Sequence, residues 1–185
     1  MPEDRRSLPA PLAHRFVLIS RWRLDCPAAA AWDLLTDLEA WPRWWPEVLQ
    51  AEVLHRAPVG QPGTRARLTW RTRLGYRLQI AVTNTRRQRQ PDGRAEIEGR
   101  SEGDLLGRGL WVLEPVAGRH VDVTYRYEVE LARGWMRAAA PLLRRVFAWN
   151  HFALMSSGAA GMARHLACRA PVVDNWCPSV GLARS

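Results

Sequence analysis

The chain contains no lysine. All 27 of its basic residues are arginine, set against 18 acidic ones, which gives a formal charge of +9 over 185 residues. Such an excess points first to nucleic acid or to an anionic membrane surface. An all-arginine bias, however, is what a GC-rich genome produces without any selection for phosphate contacts, so the charge does not by itself assign a partner. Cysteine is scarce too: Cys26, Cys168 and Cys177 are odd in number and have no CxxC spacing, which excludes a disulfide framework and a zinc site and leaves three thiols. The five histidines, at 14, 55, 120, 151 and 165, lack metal-ligand spacing, so no metal is expected. GxSxG, HExxH, P-loop and Rossmann glycine patterns are all missing, which removes the common hydrolase, metalloprotease and nucleotide-binding classes and leaves no cofactor to expect.

Long hydrophobic runs are absent as well. The nearest approach is Val146 to Ala163, the longest stretch without Arg, Asp or Glu. Its 18 residues reach the lower limit for a membrane span, but Asn150, His151, Ser156, Ser157, Gly158 and Gly161 would put polar groups and weak helix formers into hydrocarbon. Arginines at 144, 145 and 164 flank it on both sides, so no orientation is set. The segment is read as a buried helix of a soluble domain. The first fourteen residues, MPEDRRSLPAPLAH, have no apolar signal-peptide core, and a cytoplasmic location is the expectation.

What is present is aromatic and alternating. Ten tryptophans supply large apolar area. After a Pro-rich, charged lead-in over residues 1–13, FVLISRWRL alternates with Phe16, Leu18, Ser20, Trp22 and Leu24 on one face. Pro27 then opens the helix AAAAWDLLTDLEA, and Pro42 and Pro46 end it. From Glu47 to Arg133 six further strands follow at short connections: EVLQAEVLHR, TRARLTWRTR, YRLQIAVTN, RAEIEGRS, LLGRGLWVLE and HVDVTYRYEVEL. Short connections imply antiparallel neighbours. A long final helix, from about Trp135 to Cys168, is the one element able to cover the apolar face of such a meander. The expected fold class is α+β: a helix-grip arrangement in which a seven-stranded antiparallel sheet curves around a long C-terminal helix, with one or two short helices after the first strand. The domain covers residues 14–168, and the Pro-bearing tail 169–185 reads as irregular, with Trp176 able to dock onto the domain or onto a partner.

The outer face of the sheet mixes signs. The arginines of TRARLTWRTR share it with Glu96, Glu98, Asp122, Glu128 and Glu130, and no aromatics interleave with them for base stacking. Nucleic acid is therefore not an expected partner, while peripheral contact of this face with an anionic membrane stays open.

Three separated segments, CPAAAAWDLLTDLEAWPRWWPEV, GLWVLEPVAGRHVDVTYRYEV and FAWNHFALMSSGAAGMARHL, resemble in order and spacing the START-like helix-grip superfamily, and within it the bacterial polyketide cyclase/dehydratase and lipid-transport group. The resemblance covers about residues 15 to 167. It implies a cavity between curved sheet and final helix that holds one hydrophobic small molecule such as a lipid, polyketide or quinone, with catalysis in a few members that act as aromatase/cyclases. Carried onto this chain, the ligand-binding positions would be Trp70, Leu78, Ile80, Ile97, Trp111, Leu113, Tyr125 and Tyr127 on the sheet, and Asn150, His151 and Leu154 on the helix. Trp44 and Trp45 would close one end. His151 is the candidate catalytic group, because imidazole titrates near neutrality. No nucleophile or acid–base pair stands beside it, so enzymatic status is open. Neighbouring helix positions point about 100° apart, so Asn150 and His151 cannot both face the same spot; whether their polar atoms serve the protein or a ligand stays open. Arg108, between two glycines, is the remaining candidate for a charge in the cavity, although an exposed position suits it better.

Overall fold

The computed structural model describes residues 14–117 and 119–181, so the lead-in at 1–13 lies outside the described residues. In chain order the elements are β1 (Arg15–Leu24), α1 (Ala28–Thr36), a 3-10 turn (Leu38–Ala40), α2 (Trp41–Trp44), β2 (Val48–His55), β3 (Arg65–Arg71), β4 (Arg77–Arg89), β5 (Ala95–Gly103), β6 (Leu105–Val116), β7 (His120–Leu131), α3 (Gly134–His165), β8 (Val172–Trp176) and a 3-10 turn (Pro178–Val180). The strands form one antiparallel sheet in the order β2-β3-β4-β5-β6-β7-β1-β8. The meander closes back on the first strand, so β1 lies beside β7, with Leu18 opposite Tyr127 and Trp22 opposite Val123. This is the helix-grip architecture the alternation implied.

Two details differ from the sequence expectation. The sheet has eight strands rather than seven, because the tail segment read as irregular pairs with β1 as β8. Pro171 and Pro178 bracket the strand rather than interrupt it, and Ser20 Oγ donates to Asn175 Oδ1 across the pair at 2.6 Å. The added strand covers the edge of β1 that would otherwise offer unpaired backbone groups. The second difference lies in β4, which runs on to Arg89 through a register shift between Asn84 and Arg86. Past that bulge the inward set changes parity, and the guanidinium groups of Arg87 and Arg89 lie over the Trp32 ring of α1 at 5.6 and 5.7 Å.

Helix α1 follows from Pro27, which occupies the position before its first turn, and buries Ala31, Trp32 and Leu35. Asp37 accepts from the Ala40 N–H at 3.3 Å and caps the following turn. This brings Trp41, Trp44 and Trp45 under α3. Trp45 is almost fully buried, its indole N–H donates to the Leu154 carbonyl at 3.0 Å, and its ring meets those of Trp41, Trp44 and Trp70 at 5.0–5.2 Å. The close approach requires glycine on the helix: a Cβ at Gly158 would strike the Trp45 ring, and one at Gly161 the Trp44 carbonyl. Around Trp22, Leu24, Leu113, Val121, Val123 and Met162 this end of the interior is packed solid. Toward its N-terminal half α3 carries Pro141, which removes one helical hydrogen bond, and a kink at Leu143 (φ −108°, ψ 16°). Among the described residues no helix is long and apolar enough to cross a membrane.

Candidate functional site

At the other end of the sheet–helix interface the packing opens into a cavity of about 150 Å³. Its walls come from the inward faces of β1 and β3–β7, from Trp41 and Trp45, and from one side of α3. Of the positions that the sequence nominated, Trp70, Leu78, Ile80, Trp111, Tyr125, Tyr127, Asn150, His151 and Leu154 all line it, as does Trp45. Trp44, Ile97 and Leu113 do not. They are buried in the tryptophan-packed core: alternation placed Ile97 and Leu113 on the correct face but does not report where along the sheet α1 and α2 fill the space, and Trp44, expected to close one end, lies on α2 within that core. The sequence selection also passed over Phe16, Leu18, Leu68 and Val82, which line the cavity and whose inward parity was visible. Phe147 and Met136, from the helix, needed knowledge of the kinked helix's rotation.

One wall is a set of nearly parallel rings. Trp111 on β6 lies opposite Tyr125 on β7, with centroids 4.1 Å apart and planes 23° apart. Tyr125 and Tyr127, two residues apart on the same face, follow at 5.6 Å and 25°, and His151 of α3 continues the series from Tyr127 at 6.0 Å and 26°. Gly109, opposite Tyr127 in the ladder, leaves the room in which the Tyr125 hydroxyl sits, since a Cβ there would collide with it.

The polar atoms divide between those that the protein satisfies and those that it does not. Asn150 Oδ1 accepts the Arg73 backbone N–H at 2.9 Å and so ties α3 to the turn between β3 and β4. The Tyr127 hydroxyl is 2.8 Å from Ser101 Oγ. By contrast His151 Nε2, Trp41 Nε1 and Trp70 Nε1, on residues that line the cavity, are buried without a hydrogen-bond partner, as are Trp22 Nε1 and Trp44 Nε1 in the packed core. Burial lowers the His151 pKa from 6.5 to about 4, so the imidazole is neutral at pH 7. Burial pushes Tyr127 up to about 12, partly offset by the Ser101 bond, and raises Tyr125 well above its ordinary value, with the neighbouring Tyr127 adding to the effect. Every titrating side chain on this wall is thus held in its uncharged form.

Arg108 is not a cavity charge. It lies on the outer face and donates to Glu98 at 2.8 Å. The same holds for other outer arginines: Arg65 bonds Glu102 and Arg67 bonds Glu52 at 2.8 and 2.9 Å, and Arg21 and Arg23 both bond Asp122, whose carboxyl is held below its usual range first by the Arg23 hydrogen bond.

A family model described as polyketide cyclase / dehydrase and lipid transport matches residues 24–152, more than half of the chain. The chain belongs to this family. Solved structures share its fold at low identity. A Thermus thermophilus protein is 20% identical with a TM-score of 0.65, covering 82% of this chain and 97% of its own. The Zhui aromatase/cyclase from a Streptomyces species is 18% identical with a TM-score of 0.58, over 82% and 96%. Human STARD10 is 14% identical with a TM-score of 0.51, over 75% and 63%. No curated protein sequence matches the chain. Identities this low carry the helix-grip fold and not an activity.

Proposed function

We propose that this member of the polyketide cyclase/dehydrase family binds one small, planar, uncharged molecule in the cavity beneath α3. The observation that carries the reading is the unpaired, buried Nε2 of His151 on an apolar, aromatic-walled cavity. A buried polar atom without a partner costs about 1–3 kcal/mol, and a ligand hydroxyl or carbonyl recovers that cost. Size narrows the class. An engineered apolar cavity of about 150 Å³ in another protein holds benzene, whereas drug-sized pockets run from about 300 Å³ upward. A phenol- or quinone-type ring fits the space as it stands, and a diacyl lipid or a multi-ring polyketide requires α3 to move outward. Charged ligands are disfavoured, because the wall offers them a neutral imidazole and two protonated phenols in place of water.

Catalysis is the second reading, with His151 or a tyrosine as proton donor in a cyclisation or dehydration. The same burial argues against it: efficient acid–base groups have pKa values near the working pH, and His151 at about 4 and Tyr127 at about 12 are far from neutrality on either side. Binding is therefore the reading preferred. Calorimetric titration with substituted phenols and quinones, alongside long-chain fatty acids, tests it. The expected result is a dissociation constant below about 100 μM, or roughly 5.5 kcal/mol, for single-ring compounds, weakened about three- to tenfold by His151→Leu. Tight binding of fatty acids and none of rings would overturn it.

A further inference from the structure

A second surface of α3 points away from the cavity and is apolar as well. Leu142 is 88% exposed, Trp149 54% and Trp135 49%, and Val146 and Leu143 are also exposed. Trp135 and Leu142, seven residues apart, share one side of the segment before the kink at Leu143, and Val146 and Trp149, three apart, share one side of the segment after it. The stripe borders the cavity wall, since Trp135 packs edge-on against Tyr76 at 5.2 Å and Leu74 beside it is exposed. Its charges have one sign. From Gly134 to His165 the helix carries Arg137, Arg144, Arg145 and Arg164 and no Asp or Glu. Arg144 is occupied, donating to the carbonyls of Arg15 and Ser179, and Arg137, two residues on from Trp135 and so about 160° around the helix from it, acts on the Glu130 carboxylate; Arg145 is exposed. The acidic residues on neighbouring elements are already paired: Glu130 with Arg15, Asp104 with Arg133 and Glu47 with Arg73.

We infer that this stripe, Trp135 to Trp149 with Arg145 beside it, docks the protein onto an anionic lipid bilayer. Tryptophan and leucine on one side of a helix flanked by arginines is the composition of a helix that lies in the headgroup region, with the apolar side inserted and the cations at the phosphates. A protein partner of matching shape would need an acidic rim around an apolar patch, and nothing here selects one. The outer sheet face is the weaker lipid surface, because its arginines already bond Glu52, Glu98 and Glu102. The inference does not depend on what the cavity binds.

Vesicle flotation with the full chain tests it, comparing phosphatidylcholine alone with phosphatidylcholine containing about one third phosphatidylglycerol. The expected outcome is binding to the anionic vesicles that falls as salt is raised. Leu142→Ser with Trp149→Ser, and separately Arg145→Glu, each weaken that partition at least about tenfold with the thermal midpoint kept. Arg65→Gln with Arg67→Gln on the outer sheet face leaves it unchanged. Three results would overturn the inference: no binding of the wild-type chain to anionic vesicles, equal losses from the sheet-face pair, or a dimer in sedimentation that the Leu142/Trp149 pair dissolves, which would assign the stripe to a second copy.

Discussion

The two ends of the sheet–helix interface are built from the same elements and differ in what holds the helix off the sheet. At the C-terminal half of α3, glycines 158 and 161 let the helix settle onto Trp44 and Trp45, and Trp22, Leu113 and Met162 fill what is left. In the middle of the helix, just past the kink at Leu143, Phe147, His151 and Leu154 face Tyr125, Tyr127 and Ile80 around an open space. One end is anchored so that the other can stay open. The comparison sets the packed core at the tryptophan end and the cavity of the proposed ligand site at the tyrosine–histidine end.

Substitutions separate the two ends, beginning with the largest effect. Trp22→Ala removes a fully buried ring from the packed end and is expected to cost about 4 kcal/mol in urea unfolding. Next comes acid. The folded His151 pKa of about 4 lies below its ordinary 6.5, so as pH falls the unfolded chain takes up a proton first. Stability is complete above about pH 6.5 and declines from there to about pH 4, by at most about 3 kcal/mol. His151→Leu should flatten the unfolding midpoint across that window and keep the further loss at lower pH, where Asp122 and Glu130, whose folded pKa values are depressed, become protonated. A wild-type midpoint that is flat from pH 6.5 to 4.5 would show that the imidazole is not buried neutral.

Overpacking distinguishes the ends further. Ala159 is fully buried at the anchored end, and Ala159→Leu should destabilise by about 2 kcal/mol, because no free volume is there to receive it. Val82→Leu adds volume beside the cavity and should be neutral or stabilising by about 1 kcal/mol, while weakening ligand binding measurably in calorimetry. Equal penalties at both positions would remove the distinction.

Much of this division was legible in the sequence, and the illegible part has physical causes. Period-two alternation gave β1 through β7 and the correct inward face for Trp70, Tyr125 and Tyr127, since parity is a property of the strand alone. Height along the strand is not. Leu113 shares a face with Trp111 two residues earlier on β6, yet it belongs to the packed end, on the strand that α1 contacts. The bulge at Asn84–Arg86 likewise reverses parity with no glycine or proline to announce it, and so the arginines over Trp32 were not foreseeable. Strand β8 is five residues between prolines and exists through its pairing with β1. For Asn150 and His151 the sequence posed the question, and only the folded structure separates them: Asn150 serves the β3–β4 turn, and His151 stacks on Tyr127 with its Nε2 left without a hydrogen-bond partner.

The most direct measurement is the imidazole nitrogen resonances of His151, followed by NMR while a single-ring phenol is added near pH 6. The result expected is a ring that is neutral without ligand and an Nε2 resonance that moves in proportion to ligand saturation. An Nε2 resonance that stays fixed while the phenol binds, or an imidazole that titrates near 6.5, would contradict the assignment of His151 as the cavity's ligand contact.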